Sequence, residues 1–202
     1  MPSVTRVLAI AGPRGEWGYD EEAAAIGTKV HKAVALMLKG QLDEDKLHPV
    51  LAGFVAGARR FIKETGFRIH SPNHVERAVH CPALGVAGTL DVIGRAWKRR
   101  VLVDWKSGSS ISRWMELQTG GYLYLARRVG LVGYDEPVER LIVQLMRDGR
   151  FKIHPHKVKS DAAAFAACAT LSWWKIRNGE ATIRPEEEEE FTIWMPQQQP
   201  QI

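Results

Sequence analysis

The order of elements read from the sequence predicts an α/β fold, a mixed β-sheet core flanked by helices. Three observations carry that expectation. Residues 50–65 set Leu51, Phe54, Val55, Ala58, Phe61 and Ile62 at helical spacing. Residues 86–97 and 100–106 read as paired strands, the second built on the apolar run Val101-Leu102-Val103. A helix over 113–129 then leads to a second hairpin, and a helix joining two sheet segments implies a parallel crossover.

Taken in chain order, residues 3–10 form a short helix or strand, broken by Pro13-Arg14-Gly15. Asp20 is placed to cap a helix over 21–39, rich in Ala, Leu, Lys and Glu and closed by Gly40. The helix over 50–65 follows. The first hairpin turns at Lys98-Arg99. The strands over 138–147 and 150–158 are joined by Asp148-Gly149, a strong turn signal. Ser160 or Asp161 caps a last helix through Lys175, with Gly179 as its stop. Residues 1–184 read as one domain. Residues 185–202, a run of glutamates followed by a Gln/Pro segment, read as a flexible tail.

Length and composition narrow the function classes. The 202 residues are 45% hydrophobic and 25% charged, ordinary for a folded domain with its own core. Two cysteines, Cys81 and Cys168, supply neither a disulfide framework nor the thiolates of an iron–sulfur cluster. No apolar run approaches the ~20 residues of a membrane span, and the N-terminus lacks the plan of a signal peptide. The expected compartment is therefore the cytoplasm, with no membrane partner. The net charge is +5, and without Glu186–Glu190 it is +10. A basic body with an acidic tail points to a polyanion partner.

The chemistry concentrates in Gly88-Thr89-Leu90-Asp91-Val92-Ile93-Gly94 and Val101-Leu102-Val103-Asp104-Trp105-Lys106-Ser107-Gly108. Strand side chains alternate faces, so Asp104 and Lys106 share one. A turn at Lys98-Arg99 sets Ile93 opposite Asp104, which makes Asp91 diagonal to Asp104 on the same face. Two carboxylates that close repel unless a cation lies between them. A hard divalent ion fits, magnesium first. Lys106 beside a metal-bound water could stabilise hydroxide or the charge building on a phosphate. Without a cation, the same residues make an Asp–Lys salt bridge on a sheet edge.

This stretch resembles the core of the PD-(D/E)XK nucleases, in the RecB-like branch that includes many phage exonucleases. Gly27-Thr28-Lys29-Val30-His31 resembles the G-T-x-x-H helix motif of that branch, and Gln118-Thr119-Gly120-Gly121-Tyr122 its Q-x-x-x-Y motif. Pro2-Ser3-Val4-Thr5-Arg6-Val7-Leu8 is similar to the opening segment of phage members. The similarity runs in order from residue 2 to about residue 125. Leu90 stands where the family's name-giving proline would be.

The resemblance implies a restriction-endonuclease-like core and a metal-dependent DNA nuclease. His31, Asp91 and Asp104 would hold one or two Mg2+ or Mn2+ ions, without an iron–sulfur cluster. Asp91, Asp104 and Lys106 would be catalytic, with Lys106 positioning or activating water. Gln118 and Tyr122 lie one helical turn apart, and they, Arg6 and Thr28 would border the site or touch DNA. Glu76 would bind a second metal or pair with an arginine. A phage-type exonuclease in recombination or end processing, in the cytoplasm of an infected or prophage-bearing host, is the first reading. A structure-specific flap or branch endonuclease and a catalytically lost DNA-binding relative are the others. The expected partners are single- or double-stranded DNA ends, with a homo-oligomer and a single-strand annealing or recombination protein as further candidates.

Trp17, Trp114, Trp173 and Trp174 could stack on bases or serve as core and oligomer contacts. Arg59-Arg60, Lys98-Arg99-Arg100 and Arg127-Arg128 are candidate phosphate contacts or solvated turns and helix ends.

Overall fold

A computed structural model describes residues 1–12 and 21–183. Asp20, Trp17, the Pro13-Arg14-Gly15 break and the acidic and Gln/Pro segment lie outside the described residues. Five α-helices are present among them: α1 (Val4–Ala11), α2 (Glu21–Leu38), α3 (Pro49–Thr65), α4 (Trp114–Arg128) and α5 (Asp161–Arg177). Six strands build one sheet: β1 (Arg68–Ile69), β2 (Val75–Cys81), β3 (Val86–Ala96), β4 (Arg99–Lys106), β5 (Val138–Leu145) and β6 (Phe151–His156). The order is β1-β3-β4-β5-β6, and β2 shares the outer edge of β3 with β1. β4 and β5 are parallel, as the crossover through α4 requires; the other pairs are antiparallel.

The first segment is a helix because Ser3 Oγ accepts from the Arg6 N–H at 3.1 Å, a side-chain cap, and Gly12 ends it in the left-handed region at φ 107°. α1, α4 and α5 cover one sheet face over Val86, Leu90, Ile93 and Leu102. α2 and α3 cover the other over Val92, Val101, Val103 and Trp105. Small residues set the distances between layers. A Cβ on Gly121 of α4 would meet Phe165 of α5 at 2.7 Å, and one on Gly53 of α3 would overlap the Arg147 carbonyl of the β5–β6 turn.

Several local expectations are corrected. The first hairpin turns at Trp97-Lys98, both left-handed (φ 48° and 65°), with Ala96 opposite Arg99. The pairing is therefore Ile93 with Leu102, two residues from the expected register. The shift is even, so every side chain keeps its face. Ser160 makes no cap hydrogen bond, and the Asp161 carboxylate turns inward to Arg140 instead. β1 and β2 have no counterpart in the sequence reading.

One irregularity prepares the site. The β2–β3 ladder runs Arg77 with Leu90 and Val75 with Val92. Between them Glu76 takes φ 52°, a conformation that costs a non-glycine residue energy. The strands change faces there. Leu90 and Ile93, three apart, pack into the same layer, whereas Val75 packs opposite Val79 and Cys81. Asp91 therefore sits at a seam between the two layers.

Candidate active site

The seam opens into a cleft of about 720 Å³. β4 supplies Asp104 and Lys106, β3 Asp91, β2 Glu76, α2 Thr28 and His31, and α4 Gln118 and Tyr122, all of them lining it. Continuing the observed register one pair beyond Val92–Val103 brings Asp91 level with Asp104, rather than diagonal to it. The Asp91 carboxylate is fixed from two sides. Its Oδ2 accepts the Trp105 N–H at 2.7 Å, and its Oδ1 lies 3.1 Å from His31 Nδ1. A carboxylate only accepts, so His31 Nδ1 carries the proton in this contact. Asp104 Oδ2 pairs with Lys106 Nζ at 2.6 Å.

The electrostatics are those of charges short of partners. Burial raises the Asp104 pKa above the usual carboxylate range; Lys106 opposes this and Asp91 adds to it. Burial also presses on Asp91, but His31, Lys106 and the Trp105 N–H together hold it below its ordinary value. Burial opposes the imidazolium form of His31, yet Asp91 overcomes that and raises its pKa. Partial burial and Asp91 raise that of Glu76. The Tyr122 phenol, buried beside Asp104, Asp91 and the Gln118 amide, is pushed strongly upward and stays neutral.

Ligand atoms of His31, Glu76 and Asp91 all lie within 4.8 Å of one another. One imidazole and two carboxylates suit a hard divalent cation, and the crowding of acids here is what such a cation would relieve. Asp104 stands beside this group, held by Lys106. The sequence reading had Asp104 with His31 and Asp91 and left Glu76 open. Among the described residues, the geometry places Glu76 in the cluster.

Thr28 reaches the cleft, with its hydroxyl donating to the Ala24 carbonyl at 3.1 Å. Arg6 is on α1, outside the cleft lining, and donates to the Thr182 carbonyl at 2.7 Å. The basic doublets are largely engaged elsewhere. Arg59 pairs with Glu44, Arg60 with Glu64 and Arg99 with Glu139, while Arg128 bonds the Tyr124 hydroxyl. Trp173 Nε1 donates to the Leu84 carbonyl, and Trp174 is about half exposed. Sequence reasoning missed Lys32 and Lys39, which line the cleft. Helical spacing from Thr28 through His31, Lys32 and Ala35 to Lys39 could have found them.

Comparisons with known proteins agree with this architecture. The family model described as PD-(D/E)XK nuclease superfamily matches residues 5–194. A solved structure from Eubacterium rectale, a presumed exonuclease, superposes with a TM-score of 0.51 at 13% identity, covering 98% of this chain and 89% of that one. At that identity the likeness speaks for the fold alone. The crystal structure of SSO0001 aligns at 13% identity with a TM-score of 0.37 over 83% of each chain, too loose to carry an argument. No curated protein gives a significant sequence match.

Proposed function

The chain belongs to the PD-(D/E)XK nuclease superfamily, and from that premise we propose that it is a divalent-cation-dependent deoxyribonuclease acting at DNA ends. The observation that carries this reading is the meeting of the His31–Glu76–Asp91 donor group with the Asp104–Lys106 pair at the floor of one cleft. When bound there, an ion of the magnesium type supplies positive charge that acidifies water and neutralises phosphate.

The chain's own residues do the rest. The Trp105 N–H and His31 lock the Asp91 carboxylate in one orientation. Asp104 holds the Lys106 ammonium at the cleft floor, where it orients the attacking water and faces the charge that grows on the pentacovalent phosphate. Water adds to phosphorus, the bond to one ester oxygen breaks, and that oxygen leaves with a proton. Neutral Tyr122 and Gln118 border the reacting phosphate as hydrogen-bonding groups. Exonuclease action in recombination or end processing, of the phage type, is the specific reading. It is supported by the order of the four sequence motifs.

Digestion of 5′- and 3′-labelled linear duplex, single strand and closed circle tests it. Mononucleotide release from linear substrates in magnesium, abolished by EDTA, is expected. Nicking of closed circles would move the assignment to an endonuclease, and full cleavage in EDTA would overturn the cation requirement.

A further inference from the structure

A second charged feature lies on the sheet face that carries Asp91, Asp104 and Lys106. Arg68 of β1 pairs directly across from Arg95 of β3, and Arg95 across from Arg100 of β4. Cross-strand partners share a face, so three arginines stand in a row on three adjacent strands. The face is fixed by the neighbours: Ile69, Ala96 and Val101 all pack into the opposite layer. Arg77 of β2, opposite Leu90, belongs to this face too.

Like charges directly opposite one another disfavour the sheet. Several cations elsewhere are met by acids, as in Arg59–Glu44, Arg60–Glu64, Arg99–Glu139 and Arg140–Asp161. In the row only Arg100 has an acid near it. Arg68, Arg77 and Arg95 are exposed and pair with no carboxylate among the described residues. Arg95 donates to the Lys98 carbonyl of its own turn, and Glu136 approaches Arg100 only at 3.9 Å.

We propose that this arginine row is a docking track for the phosphate backbone of nucleic acid beyond the scissile bond, a deepening that rests on the nuclease reading above. A polyanion with spaced charges fits, because the cations are spaced one strand apart and Arg68, Arg77 and Arg95 pair with no carboxylate among the described residues. The track joins the cleft: Arg77 follows Glu76 of the donor group in sequence, and Arg95 is four residues along β3 from Asp91. At ~3.4 Å per residue that is about 14 Å, or roughly four base pairs of duplex rise.

The test compares the wild-type chain with a variant carrying Arg68→Gln, Arg77→Gln and Arg95→Gln. Binding of a duplex of roughly 30 base pairs is measured in calcium across a salt series, and loss of three phosphate contacts should lower the slope of log K against log salt by about 2 to 3. Hydrolysis of bis(4-nitrophenyl) phosphate in magnesium, a substrate too small to reach the row, should keep its wild-type rate. That rate also reports correct folding of the variant. An unchanged salt slope and duplex affinity overturn the track while leaving the nuclease reading intact. Conversely, a wild-type chain that binds duplex with a slope sensitive to the three arginines, yet cleaves neither substrate, upholds the track as a binding surface and overturns the nuclease reading.

Discussion

Two clusters of charged side chains lie on the same face of the sheet and differ in how those charges are met. At the β5–β6 side, Arg140 donates to the carbonyls of Glu116 and Val158 at 2.9 and 2.6 Å, to Thr119 Oγ1 at 3.4 Å and to Asp161 Oδ2 at 2.6 Å. Thr119 in turn meets His156 at 2.9 Å. This cluster is closed: it ties α4, α5, β5 and β6 together. At the seam, Asp91, Asp104 and Glu76 crowd around one histidine and one lysine, on a backbone strained at Glu76. Paired charge of the first kind serves the fold. Charge left partly uncompensated is held in place by the rest of the fold, and under the proposed reading a divalent cation would relieve it.

That contrast is broken most directly by substitutions that exchange the expected outcomes. The largest effect belongs to Asp104→Ala, which should lower cleavage by about a thousandfold or more while melting temperature holds or rises, because one of two repelling carboxylates is gone. Lys106→Ala should lose about a hundredfold in single-turnover cleavage and still bind calcium by calorimetry. Near wild-type cleavage by folded Lys106→Ala would make Lys106 a structural partner of Asp104 only.

Arg140→Leu should do the reverse. It strands the Asp161 carboxylate in the interior, at a cost of about 3–5 kcal/mol. Thermal denaturation should then shift down by about 10 °C, while cleavage persists well below the new midpoint. A melting temperature equal to wild type would show that the network is not structural.

The network also has its own pH dependence. Burial, then Arg140, pushes the His156 pKa down to about 4 from 6.5. The unfolded chain therefore binds the extra proton first, and stability falls as pH drops from about 6.5 towards 4, by an amount on the order of 2 kcal/mol. Urea denaturation at pH 7 and at pH 4.5 should show this loss shrinking in His156→Gln. The smallest effect is expected for Glu76→Gly. Relief of the left-handed backbone should add about 1 kcal/mol of stability, and loss of a donor should weaken manganese binding. A destabilised Glu76→Gly would place the strain elsewhere.

Helices and the main hairpin were legible because their apolar periods are undisturbed, as at Leu51 to Ile62. Asp91, Asp104, Lys106, His31, Gln118 and Tyr122 meet in one cleft because period and face parity survive a two-residue error in register. What was not legible has local causes. The turn at Trp97-Lys98 uses left-handed residues that carry no glycine or asparagine signal. β2 was hidden because the face change at Glu76 breaks its alternation: Val75 and Val79 point to opposite layers. The same irregularity brings Glu76, which the sequence left open between a second metal and an arginine partner, within 4.8 Å of His31 and Asp91. Arg140 and Asp161 are 21 residues apart on different elements, and nothing in the chain marks them as a pair.

The outer strand β6 also bears on how copies of this chain could associate. It carries Lys152 and, opposite Leu141, Pro155. Proline has no N–H to give, and an edge strand holding a lysine and a proline is a poor template for another strand. The opposite rim is divided between the two-residue β1 and the kinked β2. Neither margin offers a long, regular run of open backbone groups, so the sheet resists being extended edge to edge. Self-assembly would have to use helix and loop surfaces, which leaves the cleft geometry of each copy independent of its neighbours' strands.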